Sequence, residues 1–214
     1  MTTLPAFTKR ATLALVLVAA LASPALAGPP LVCFPFDIGT ARSLPWAPDT
    51  GWKGLRDDYD LTKLTSDTTS ILSSSTPIVV RMETLRRAAL YATRDEAVAK
   101  DLLNGLDQRA REATGNGRRR ALALFDAGYL IEVYKQVTPI SAKTGELAAS
   151  LDGYAMVRQS LALSGNDPAI EFAAALMTSD GNASAAHAQH VRHAREGSSS
   201  DVLLARNVST HLER

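Results

Sequence analysis

The chain has 214 residues, of which 46% are hydrophobic, and carries 23 Lys and Arg against 22 Asp and Glu. Acidic and basic residues are interleaved, so the sequence lacks the clustered basic surplus of a nucleic-acid-binding protein. It contains a single cysteine, which excludes an internal disulfide and leaves the fold to be held by packing alone.

Residues 1–27 have the parts of a secretory signal peptide in the right order. Lys9 and Arg10 precede an apolar run over residues 11–22, and Ala25-Leu26-Ala27 supplies the small residues of a cleavage site. The apolar run is too short to span a bilayer. We therefore expect a mature chain that begins at Gly28, has no transmembrane span, and is periplasmic or secreted.

Residues 28–54 are rich in proline and aromatic residues and show no helical period. Five prolines forbid a helix of useful length, while the aromatic residues make the segment too apolar for a disordered tail. We expect an extended arm that packs along a helical body, with Phe34, Phe36 and Trp46 as anchors. In an alternative interpretation, Trp46 and Trp52 stack against a sugar or a peptide ligand.

Residues 55–214 are predicted to form a single all-helical domain, because apolar residues recur at helical spacing and no run alternates as a strand does. A capping box at Thr93 and Glu96 opens one of these helices. We expect eight helices: about 56–73, 77–92, from Thr93 to before Gly115, 118–137, 146–163, 168–177, a histidine-rich helix ending at Glu196, and 201–211.

Short turns between these helices predict antiparallel hairpins, in either a bundle or a solenoid-like array. Ala127-Gly128-Tyr129 and Asp152-Gly153-Tyr154 recur 25 residues apart, each expected inside a helix. Their glycines are expected to permit close helix approach, with each tyrosine packing into the gap. Tyr129 and Tyr154 are also candidates for ligand contact.

Three histidines lie close together near the C-terminus. His187 and His190 share one face of a helix, a spacing at which two imidazoles can bind zinc or copper, whereas His193 lies about 120° from His187. No paired cysteines or nearby acidic motif supply further ligands. The alternatives are half-buried core histidines or packing that depends on pH.

Catalytic signatures are missing from the sequence. No serine lies in a Gly-x-Ser-x-Gly elbow, and Cys33 is expected to be a buried thiol, with an intermolecular link or a reactive thiol as the alternatives. The run Arg118-Arg119-Arg120 is either an anion site or a solvated helix start. These observations favour a binding protein over an enzyme.

We therefore expect an exported helical binding or scaffold protein for a protein or peptide partner. The alternative is a small periplasmic metal-binding protein that uses His187 and His190. The oligomeric state is left open.

Overall fold

The structure is a computed structural model that describes residues 28–48, 50–179 and 185–212. Within these ranges it is all-helical, as predicted, and contains no β-strand. None of the described helices has the length and apolarity that a membrane span requires. The predicted signal peptide, residues 1–27, lies outside the described residues. The helices are α1 (Pro30–Cys33), α2 (Leu64–Ile71), α3 (Ile78–Ala92), α4 (Glu96–Glu112), α5 (Arg118–Gln136), α6 (Ala142–Ala148), α7 (Gly153–Ser164), α8 (Pro168–Met177), α9 (Ala185–Gly197) and α10 (Val202–Leu212).

Helix α5 lies at the centre of the molecule. It packs against α3, α4, α6 and α7, and also touches α1 and α8. Its apolar residues point in every direction, and Phe125, Leu130 and Val133 are fully buried. A helix that is apolar all round must be covered on all sides, so the other helices are arranged around α5.

The first predicted helix is much shorter than expected. Helix α2 begins at Leu64, after a 3₁₀ turn at Leu61–Lys63, rather than near residue 56. The backbone N–H of Arg56 donates to the hydroxyl of Tyr91 at 3.1 Å, and Asp60 caps the 3₁₀ turn. These contacts hold residues 55–60 in an irregular conformation against α3.

The helix predicted over residues 146–163 is wrong, because the structure breaks it into α6 and α7. Asp152 is the N-cap of α7 and accepts a hydrogen bond from the N–H of Ala155 at 2.9 Å. Gly153 is therefore the first residue of a helix and does not lie inside one. The break places the backbone of Gly153 directly against the backbone of Gly128 on α5, so the expected close helix approach is confirmed.

The capping box predicted at Thr93 is also wrong. The Thr93 hydroxyl donates to the carbonyl of Leu90 at 2.7 Å, at the end of α3. Asp95 caps α4 instead, accepting from the N–H groups of Ala97 and Val98. Three residues, Thr93 to Asp95, join α3 to α4, and the last of them, whose carboxylate is next to α4, takes the N-cap position.

The described residues of the arm, 28–48 and 50–54, pack along the helical body and contain two short helical turns, α1 and Gly51–Lys53. Phe36 is buried and Trp46 and Phe34 are half-buried, while Leu31, Val32 and Leu44 are buried as well. The apolar anchors of the arm are thus more numerous than the aromatic residues alone.

Buried charges on α3 also fasten the arm. Glu83 accepts from the N–H of Phe36 at 3.1 Å, and Arg86 and Arg87 donate to the carbonyls of Val32 and Leu44 at 3.0 and 2.7 Å. Burial alone raises the pKa of Glu83, but the hydrogen bonds and charges of the two arginines outweigh it and leave the pKa below its ordinary value. The carboxylate is therefore ionised in the core.

Candidate functional site

The two tryptophans have different surroundings. Trp46 packs edge-to-face on Tyr91, with ring centroids 6.1 Å apart, and the guanidinium of Arg86 lies 4.9 Å from its ring. Trp52 is 38% exposed, and the ammonium of Lys53 lies 5.3 Å from its ring. Trp46 therefore packs the arm against α3, while Trp52 lies at the surface.

Tyr129 is fully buried in α5 and stacks on Phe125 at a centroid distance of 5.5 Å. Burial and the negative charge of Glu83 raise its pKa well above the ordinary value, against an opposing effect of Arg86. Its hydroxyl has no hydrogen-bond partner among the described residues. Tyr129 thus contributes to core packing.

Tyr154 belongs to a polar cluster that joins α7, α8 and α9. Its hydroxyl lies 2.7 Å from Nε2 of His190, and Nδ1 of His190 contacts a carboxylate oxygen of Glu171. Nδ1 of His193 lies 3.1 Å from the other oxygen of Glu171. An ionised Glu171 accepts from both Nδ1–H groups, which leaves Nε2 of His190 to accept from the tyrosine.

His187 and His190 contact different groups. Nδ1 of His187 lies 3.1 Å from the carbonyl oxygen of Ala175, whereas both ring nitrogens of His190 are used by Glu171 and Tyr154. Among residues 28–48, 50–179 and 185–212, no group of three His, Cys, Asp or Glu residues has an arrangement that would hold a metal ion. Zinc or copper binding by His187 and His190 stays a prediction from the sequence.

Cys33 ends α1 as an unpaired, half-buried thiol. Burial raises its pKa, and the nearby charge of Arg86 opposes that effect only in part. Because the thiolate is the reactive form, this environment lowers the reactivity of the thiol.

A cavity of about 430 Å³ opens between the end of α2, the start of α3, the end of α4 and the first half of α5. We call it the arginine pocket. Its volume is within the range of small-ligand sites. Apolar walls combine with hydroxyls and charges in its lining, which includes Ser70, Leu72, Ser74, Arg81, Arg109, Glu112, Arg119, Leu122, Ala123 and Asp126.

An ion pair between Arg81 and Asp126 forms the buried base of the arginine pocket. Nη1 of Arg81 donates to both oxygens of Asp126, at 2.8 and 2.6 Å, and both side chains are almost completely buried. Nε and Nη2 of Arg81 donate to the carbonyls of Thr76 and Ser73. Burial raises the pKa of Asp126 to about 6, even though Arg81 and Arg109 lower it.

Arg109 and Arg119 supply the other positive charges of this pocket. Nη2 of Arg109 donates to the carbonyl of Leu72 at 3.2 Å, but its Nη1 is buried without a hydrogen-bond partner in the described part of the chain. Arg119, in the first turn of α5, is exposed and forms no salt bridge with any described residue. Of the arginine run at 118–120, only Arg119 lines the pocket.

Sequence reasoning missed most of this pocket. The helical pattern of residues 77–92 brings charged residues onto buried positions, and Arg81, Glu83 and Arg86 are all buried there. A charged residue at a core-facing position is rare without a partner. The charged residues at buried positions of this helix were therefore the one sequence signal that indicated buried ion pairs. It does not identify the partner, because Asp126 lies 45 residues from Arg81.

Comparison with known proteins gives no relative. No protein-family model matches the chain, and neither a curated protein nor a solved structure matches it.

Proposed function

We propose that the protein is an exported helical binding protein and that the arginine pocket holds a peptide segment of its partner. The observation that carries this proposal is the pocket itself, a cavity of about 430 Å³ with apolar walls and a few charged groups. Ligand sites combine these two features, because apolar contacts supply affinity and convergent polar groups fix orientation.

Export is supported by the sequence of residues 1–27 alone. The charged start, apolar run and cleavage residues are those of a secretory signal peptide. N-terminal sequencing of the protein from the extracytoplasmic fraction should give Gly28 as the first residue. An unprocessed N-terminus in the cytoplasmic fraction would contradict export.

The pocket is tested with a library of tetrapeptides at millimolar concentration, with binding detected by saturation-transfer NMR. Ala123 lines the pocket and is half-buried, so Ala123→Phe fills part of the cavity. Ala162 is exposed on α7, and Ala162→Phe is the matched control. We expect a subset of peptides to bind the wild type and the control but not Ala123→Phe. If no peptide depends on residue 123, the proposed function is wrong.

A further inference from the structure

We propose that the arginine pocket recognises a carboxylate group of its ligand through Arg109 and Arg119. This inference rests on the proposed function, which it deepens by naming the chemistry of the ligand. The relevant groups are a buried guanidinium nitrogen of Arg109 and the exposed Arg119, neither of which has a partner for its charge or donor among the described residues, and the set of charges around them.

Arg109 has a hydrogen-bond donor that no described residue uses. Its Nη1 is buried and makes no hydrogen bond among the described residues, while its Nη2 has only the carbonyl of Leu72. A buried donor without an acceptor destabilises a protein, and exceptions therefore need an explanation. Arg109 lines the pocket, so an oxygen atom of a ligand bound there is the available acceptor for this donor. The planar guanidinium fork matches a carboxylate in a bidentate geometry.

The first turn of α5 favours a bound anion. Gly117 is its N-cap and offers no side chain to cap the helix, and the first turn contains arginines and no acidic residue. Basic residues are unfavourable at this positive end of the helix dipole, whereas an anion would be stabilised there. A ligand carboxylate beside Arg119 would offset both the positive charge of the arginine and the positive end of the helix dipole.

The charges that line the pocket favour a singly charged ligand. The pocket lining contains three arginines and two carboxylates, Asp126 and Glu112, so it carries one net positive charge when both carboxylates are ionised. Asp126 is paired with Arg81, and Glu112 accepts a hydrogen bond from Gln108. One net positive charge matches a singly charged carboxylate better than a phosphate group, which carries close to two negative charges.

The test uses acetyl-Ala-Leu-Ala with a free or an amidated C-terminus, titrated into the full mature chain by calorimetry. We expect the amide to bind at least about tenfold more weakly, because it lacks the charged hydrogen bonds of the acid. Arg109→Met and Arg119→Met should each weaken binding of the free-acid peptide by a similar factor and leave binding of the amidated peptide unchanged. Arg119 is exposed, so its substitution does not disturb the core.

Arg111→Met is the matched control, since Arg111 lies on the same helix as Arg109, is 79% exposed and does not line this pocket. It should bind the acid as the wild type does. Acetate, succinate and inorganic phosphate complete the series, and tighter binding of phosphate than of the carboxylates would overturn the inference.

Failure of this inference is distinguishable from failure of the proposed function. Suppose that peptides bind equally well as acid and as amide, that Arg109→Met does not change their binding, and that Ala123→Phe abolishes it. This result would overturn carboxylate recognition but would support the pocket as the binding site. Binding that survives Ala123→Phe would overturn both. The absence of binding by every carboxylate probe would likewise overturn carboxylate recognition.

Discussion

Gly128 in the middle of α5 and Gly153 at the start of α7 lie backbone to backbone. A Cβ atom added to Gly128 would lie 2.5 Å from the carbonyl oxygen of Gly153, and one added to Gly153 would come into equally hard contact with the carbonyl of Gly128. No side chain fits between the two helices at this point. This pair therefore sets the distance between α5 and α7, and with it the position of Tyr154.

Gly128→Ala should destabilise the protein by about 1–3 kcal/mol, because overpacking at a tight helix contact forces the backbones apart. Urea unfolding followed by circular dichroism measures the loss. Gly117→Ala is the control for the added methyl group: a Cβ at Gly117 meets no atom within 4 Å, so only the preference of the α5 N-cap for Gly over Ala, a smaller effect, opposes it. Equal stability of the two variants would contradict the close contact.

Arg81→Met should cost about 3–5 kcal/mol at pH 8, because it leaves the carboxylate of Asp126 buried without its partner. The pKa of Asp126 is raised from 3.8 to about 6 in the folded protein, so the ionised form is the unfavourable one. The raised pKa of Asp126 therefore adds to the free energy of unfolding below about pH 4, and this contribution is lost as the pH rises through 6. Arg81→Met should therefore lower the free energy of unfolding by less at pH 4 than at pH 8.

The matched control for Arg81→Met is Arg111→Met. Arg111 forms an exposed pair with Asp107, and such pairs contribute little. The double variant Arg81→Met, Asp126→Leu should recover most of the stability, since apolar replacement of a whole buried pair is often neutral or favourable. A double variant as unstable as the single one would contradict this account.

Glu83→Gln should loosen the arm and cost about 3–5 kcal/mol at pH 7, because two arginines lose the buried carboxylate that both of them contact. The folded pKa of Glu83 is lowered. Its contribution is therefore present at neutral pH and lost as the pH falls below 4.5 through that folded pKa, where the variant should approach the wild type.

Tryptophan fluorescence reports the arm directly, because Trp46 and Trp52 are the only tryptophans of the chain. Glu83→Gln should shift the emission to longer wavelength before the helical signal is lost in urea. Glu146→Gln, on the exposed face of α6, should change stability by less than about 0.5 kcal/mol. An unchanged emission in Glu83→Gln would show that the apolar anchors suffice.

The affinity of the arginine pocket for a carboxylate ligand should increase about tenfold when the pH is lowered from 7.5 to 5. Protonation of Asp126 removes one negative charge from the pocket, while the ligand carboxylate stays ionised. The charged groups around Asp126 are Arg81 on α3, Arg109 and Glu112 on α4, and Arg119 on α5; α2 contributes only hydroxyls to the pocket. Calorimetry with acetyl-Ala-Leu-Ala measures the change, and Asp126→Asn should show a flat profile.

Tyr154→Phe should destabilise the protein by about 1 kcal/mol, because it removes the hydrogen bond to His190 and keeps the ring in place. Glu171→Gln should cost more, about 1.5–3 kcal/mol, since both His190 and His193 lose a charged acceptor. The two losses are compared by urea unfolding at pH 7. A larger effect of Tyr154→Phe would contradict the central position of Glu171.

Local signals in the sequence determined the all-helical class and the limits of several helices. Asp167 followed by Pro168 predicts the start of α8, and the structure shows Asp167 accepting from the N–H of Ala169 at 2.9 Å. The continuous apolar pattern after residue 118 predicts a central helix, and α5 is central. Caps, prolines and apolar spacing act between near neighbours, so a sequence displays them directly.

Tertiary structure decided which residues meet across the chain. The helix that the apolar pattern would have continued is broken at Asp152, the N-cap of α7, and the next residue, Gly153, meets Gly128 on α5. Buried polar side chains pair with residues that are distant in the chain, as Arg81 does with Asp126 and His190 does with Glu171. The arginine pocket exists only because parts of four helices, α2, α3, α4 and α5, come together. Such partners are selected by packing and desolvation in three dimensions, and no local pattern carries that information.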